Sequence, residues 1–147
     1  MDILTVFALA MTPVGELRIS IPYGMGLQRL DWLTVYLVSL AGNMIPPLII
    51  VNYFDRLPII KNWSFIQTRA SKKKKWIQRW GWIGLLLLVA IPMPGTGAWT
   101  GSLVSFMLKL PKIPSLIAIF FGISIAGTIV MLASLGIIQF FNVAPGK

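Results

Sequence analysis

Two ionisable side chains stand inside apolar sequence in this 147-residue chain, and they are two residues apart: Glu16 and Arg18. A charge at membrane depth is costly enough that its presence points to function, which makes this pair the first candidate for chemistry. A guanidinium offers planar donors to a phosphate or carboxylate, and a carboxyl group beside it can exchange a proton. Pro13, Gly15, Pro22 and Gly24 bracket the pair and favour an extended backbone, in which positions i and i+2 point the same way; on a helix they diverge by about 200°. In the extended form Glu16 and Arg18 line one cavity, Arg18 binding an anionic headgroup and Glu16 exchanging protons. The competing reading is a structural ion pair, or two side chains that snorkel to an interface.

Little else in the inventory supports catalysis. There are no His and no Cys, and Asp2, Glu16, Asp31 and Asp55 are the only carboxylates. Zinc sites, thiol nucleophiles, haem ligation and His-based triads therefore have no residues to build them, so neither an enzyme nor a cofactor is expected. Apolar residues make up 56% and charged residues 12%, with a mean hydropathy of +0.81. Soluble domains carry about 45–50% and about 25%, so the composition is that of a membrane protein. Met1-Asp2 opens with an acid, and no basic residue precedes Arg18, so no cleavable signal is expected.

The uncharged intervals set out the elements that must position the pair. About 20 apolar residues cross a bilayer core, so 32–54 and 114–141 each predict one full span. The regions 3–28 and 82–109 are broken near their middles, the second by Pro92, Pro94, Gly95, Thr96 and Gly97 before Trp99. Both middles should be unwound. Each flank of the second break is too short for a span of its own, leaving either one kinked span or a re-entrant hairpin. The hairpin option gives an all-α integral membrane fold of two inverted repeats, each a re-entrant helical hairpin (3–28, 82–109) followed by a transmembrane helix. Paired broken segments of this kind point to a midplane transport site.

Within the span 32–54, Asn43 and Pro46-Pro47 mark either an unwound segment facing the cavity or a packed kink. The helix after Gly97 would aim free N–H groups at the midplane, suited to a phosphate or carboxylate. Ala118, Gly122 and Ala126 recur every four residues as a small-residue packing face. The linker 55–81 carries eight basic residues, including Lys72, Lys73, Lys74 and Lys75, interleaved with aromatic residues such as Trp76 and Trp80. It is expected in the cytoplasm, resting on anionic headgroups; membrane lipids, not nucleic acid, are its expected partners. With the linker inside, re-entrant topology places ten basic residues inside against two outside, and four plain spans place nine against three, a slight preference for re-entrance.

Gly15-Glu16-Leu17-Arg18-Ile19-Ser20-Ile21-Pro22-Tyr23-Gly24 and Pro92-Met93-Pro94-Gly95-Thr96-Gly97-Ala98-Trp99-Thr100-Gly101 resemble the signatures of the small multi-drug export protein family. More remotely, the layout resembles the DedA (SNARE-associated, VTT) superfamily. That resemblance implies two re-entrant hairpins, charged tips to which Glu16 and Arg18 correspond, and proton-coupled movement of polyprenyl-phosphate or phospholipid. The second hairpin departs from the DedA pattern in lacking an acidic residue and an Arg.

The leading expectation is a plasma-membrane transporter that moves an anionic amphiphile, such as a lipid phosphate, coupled to Glu16 protonation. The alternative is a proton-coupled multidrug exporter resembling small multidrug resistance proteins, which Arg18 disfavours by repelling cations. A membrane scaffold is the third. A chain this small is expected to need a second copy, as a homodimer, to enclose an amphiphile.

Overall fold

The computed structural model describes residues 2–53, 80–93 and 96–143. These form the helices α1 (Asp2–Met11), α2 (Glu16–Pro22), α3 (Trp32–Tyr53), α4 (Trp80–Ala90), α5 (Ala98–Met107) and α6 (Lys112–Val143), with a π-helical turn over Tyr23–Leu27 that continues α2. The chain runs twice through one succession: short helix, break, short helix, long helix. Of the described helices, α3 and the stretch Lys112–Ile137 of α6 are long and apolar enough to cross a membrane.

Local chemistry explains the ends. Asp31 caps α3, its Oδ2 accepting from the N–H groups of Leu33 (3.1 Å) and Thr34 (3.3 Å). The helices before α3 and before α6 both stop on a basic residue in the left-handed region, Arg29 (φ 51°) and Lys109 (φ 52°). The next N–H in each case returns to an otherwise open carbonyl: Leu30 to Gly24 and Leu110 to Ser105, each at 3.0 Å.

Glycines set the close approaches. A Cβ on Gly24 would lie 2.8 Å from Val35 Cγ1 and 3.1 Å from Val6 Cγ2, so α1, the π turn and α3 touch there. A Cβ on Gly42 would lie 2.6 Å from the Phe7 carbonyl, and one on Gly122 would lie 3.0 Å from the Leu86 carbonyl. Thus α3 packs on α1 as α6 packs on α4, through glycines 80 positions apart. Gly101 similarly admits Val89 and Leu85, folding α5 back along α4. The long helices run antiparallel: Tyr36 Oη donates to the Ser124 carbonyl (3.1 Å), and Lys112 Nζ reaches the Asn52 carbonyl (3.5 Å).

Val6, Leu17, Ile21, Val35, Leu85, Val89, Ile119 and Ile123 form the buried core. Leu37, Ile117, Phe121, Ile125 and Leu132 face outward, as a lipid-bathed bundle requires. The packing face expected on α6 is present, with Ala118, Gly122 and Ala126 all buried.

The expectation of an extended backbone after the first break is corrected. The segment 13–26 is not extended: only Thr12–Gly15 breaks the chain, and Glu16–Pro22 is helical. Pro22 has no N–H to return to the Arg18 carbonyl and so ends the α-helical register, and the helix widens to a π turn directly after it instead of unwinding. Of the two readings of Asn43 and Pro46-Pro47, the packed one holds over the unwound one: α3 runs as one helix through them, and all three are buried. The helix that holds the last expected span, 114–141, runs Lys112–Val143, and Trp80 is helical at the edge of the described residues. Lys72, Lys73, Lys74, Lys75, Trp76, Pro94 and Gly95 lie outside the described residues.

Candidate functional site

The two breaks meet. Thr12 ties the first, its Oγ1 donating to the Leu9 carbonyl (2.8 Å) and accepting from the Gly15 N–H (3.0 Å). Thr96 ties the second, its Oγ1 in donating reach of the Ile91 (2.5 Å) and Met93 (2.8 Å) carbonyls and accepting from the Met93 N–H (3.1 Å). Gly15 and Thr96 are buried, Pro13 is exposed, and Pro92 is half-buried.

Glu16 follows the first break directly and is 8% exposed. Its φ of 45° is a left-handed conformation that costs a side-chain-bearing residue roughly 1–2 kcal/mol, strain of a kind found at functional sites. The carboxylate lies against Gly97, where any Cβ would overlap it, and accepts from the backbone N–H of Trp99. Glu16 thus caps α5 from another part of the chain, since the N-cap residue Gly97 has no side chain to do so. The helix N-terminus expected to meet a ligand's anion is therefore met by the protein's own carboxylate.

Arg18 leaves the same helix in a different direction. Its Nη2 donates to the Thr96 carbonyl and to Thr96 Oγ1 (3.1 Å). Trp99 reciprocates, with Nε1 donating to the Met11 carbonyl at 3.0 Å at the end of α1. Because α2 is helical, Glu16 and Arg18 do not line a shared cavity side by side; they interact electrostatically while gripping different atoms of the second break.

Arg18 also lines a lateral groove of about 480 Å³ with Pro22, Gly26, Pro92 and the α6 residues Ile129, Val130, Ala133, Ser134 and Ile137. Among the described residues, Arg18 is the one charged group on its wall, and Glu16 is not part of it. The α6 contribution is invisible in sequence, since aliphatic residues carry no sign that they border a groove.

A polar seam lies deeper. Ser20 Oγ donates to Ser39 Oγ at 2.8 Å, and both are fully buried. Asn43, one turn beyond Ser39 on α3, is 1% exposed with its Oδ1 unpartnered. Sequence analysis singled out Asn43 but missed Ser20 and Ser39; the Ser39–Asn43 spacing of one turn was the available signal.

The family model described as "Putative small multi-drug export protein" matches residues 16–129. The chain belongs to that family. Its membership and its two long apolar helices identify a membrane protein of the export type. Comparison with curated proteins and with solved structures gives no match.

Proposed function

We propose that this small multi-drug export family protein moves amphiphiles bearing an anionic group, such as a lipid phosphate or an anionic drug, across the plasma membrane. The observation carrying this is the groove: mainly aliphatic along α6 and, among the described residues, charged only at Arg18. An acyl or aromatic tail fits Ile129, Val130, Ala133 and Ile137, and a phosphate or carboxylate fits the guanidinium. Access requires Arg18 to exchange its Thr96 partners for the headgroup. Glu16 exchanging a proton loosens or tightens its hold on α5 and so couples the ion to that step.

The re-entrant, inverted-repeat membrane arrangement belongs to the same reading. It is supported by the 80-residue offset between corresponding features: Arg29 and Lys109, the starts of α3 and α6, and Gly42 and Gly122. It is supported too by Lys112 lying at the Asn52 end of α3, where the basic linker begins. A single Cys at position 112 of this Cys-free chain tests it, since labelling by an impermeant thiol reagent is expected only after cells are permeabilised.

The functional test is reorientation of a fluorescent dialkyl phosphate in proteoliposomes, beside an anionic and a cationic amphiphilic dye. Movement of the anionic probes, lost on Arg18→Ala, is the expected result. Movement of the dialkyl phosphate alone identifies a lipid as substrate, and movement of the anionic dye extends this to drugs. Equal handling of the cationic dye overturns it. The family description favours that second reading, drug export with Glu16 as cation partner, but Glu16 faces α5 and not the groove.

A further inference from the structure

The seam between α2 and α3 has a register that can be extended. Gly24 abuts Val35, and Ser20 bonds Ser39; both pairs sum to the same register, so the helices run antiparallel. One turn further along each, Glu16 stands level with Asn43. Pro46 and Pro47 follow inside α3, and having no N–H they return no hydrogen bond to the carbonyls of Gly42 and Asn43.

This level of the protein is therefore rich in acceptors. Carried one turn further, this register brings the buried Glu16, whose carboxylate packs on Gly97, toward the unpartnered buried Asn43 Oδ1 and two backbone carbonyls that receive no bond from proline. Buried acceptors are normally satisfied, and an open oxygen at this depth calls for a partner. The hard oxygen set suits an alkali cation, which membrane transporters hold with carbonyls freed from helical bonding. A multivalent metal suits it poorly, since the described residues contain no cluster of three His, Cys, Asp or Glu side chains.

We propose that Glu16, Asn43 Oδ1 and the carbonyls of Gly42 and Asn43 form a binding site for a monovalent alkali cation. The site deepens the transport reading above and in its coupling role rests on it. Glu16 and Arg18 together carry no net charge, so an added cation is favoured most when an anion occupies the groove beside Arg18. Cation and amphiphile then bind as a neutral pair.

The test is thermal unfolding of the purified protein in uncharged detergent, with sodium or potassium chloride replacing N-methylglucamine chloride at constant ionic strength. A saturable rise in Tm with sodium or potassium is expected. Asn43→Leu, which keeps the branched heavy-atom shape and removes the open acceptor, should abolish the rise. Glu16→Gln should weaken the apparent affinity at least about tenfold, and this comparison stands if Asn43→Leu does not fold. No alkali-specific rise in the native protein overturns the proposal and leaves a buried water as the partner of Asn43; so does an undiminished rise in either variant. Adding a dialkyl phosphate separates the two readings. An alkali response indifferent to a phosphate that binds leaves both sites standing and removes their coupling, an alkali response without phosphate binding removes the groove reading, and phosphate binding without an alkali response removes the cation site alone.

Discussion

The two breaks are built alike and equipped differently. Each is tied by one threonine to its own turn, Thr12 to Leu9 and Thr96 to Met93, and each precedes a short helix that folds back on the one before it. The first break delivers charged side chains, Glu16 and Arg18. The second delivers backbone: the Trp99 N–H, the Thr96 carbonyl and the bare Cα of Gly97. Two symmetric charged tips would have to satisfy four buried charges with each other. Charging only one tip lets a helix N-terminus answer the carboxylate and a carbonyl answer the guanidinium, at lower desolvation cost.

The largest effect is expected where charge meets groove. Arg18→Ala removes the one charged group that the described residues place on the groove wall and the donor to Thr96, and should lower transport of an anionic amphiphile about 10–100-fold, corresponding to about 1.5–3 kcal/mol for a charged hydrogen bond. Arg18→Lys keeps the charge without the fork and should fall between the two, in the same proteoliposome assay. Equal loss in both variants would show that the fork, not the charge, is what the second break recognises.

Next comes the absence of a side chain at Gly97. Gly97→Ala drives a methyl group into the Glu16 carboxylate and should cost about 1–3 kcal/mol by thermal or denaturant unfolding in detergent. Gly15→Ala tests the opposite break, where the Cβ would sit 2.5 Å from Thr12 Oγ1 and 2.9 Å from the Leu9 carbonyl. Similar losses would show that both breaks bear load equally, and a silent Gly15→Ala would confine the tight contact to the junction.

Glu16→Gln separates charge from shape. The amide oxygen can still accept from the Trp99 N–H, so the fold should survive with a loss of about 0.5–1.5 kcal/mol. Transport should lose its dependence on pH, because the proton-exchanging group is gone. A pH profile unchanged from the native one would reduce Glu16 to a helix cap.

Much of this architecture was legible. The positions of both breaks, a span expected at 32–54 and found as the helix Trp32–Tyr53, and the small-residue face of α6 follow from proline, glycine and charge spacing alone. The conformation after the first break was not, because the Pro22 and Gly24 bracket mimics an unwound segment. In fact Pro22 ends a helix and Gly24 is present for its closeness to Val35. Nor was the division of labour between Glu16 and Arg18, since their partners lie about 80 residues away at Thr96, Gly97 and Trp99. Spacing within a segment carries no information on such a pairing.

Trp99 offers the finest test of how the breaks hold one another. Its backbone N–H serves Glu16 while its indole serves the Met11 carbonyl, so one residue of the second break closes the end of α1 and supports the start of α2. Trp99→Phe keeps the ring packing and the backbone donor and removes only the indole bond. The expected loss is about 0.5–1.5 kcal/mol by unfolding in detergent, toward the lower end because the bond is only partly buried. Transport by Trp99→Phe should remain close to native, because the Arg18 and Glu16 contacts are untouched. A transport loss exceeding what stability explains would mean that the indole bond sets the angle between the two hairpins, and that the uncharged break governs motion as much as the charged one.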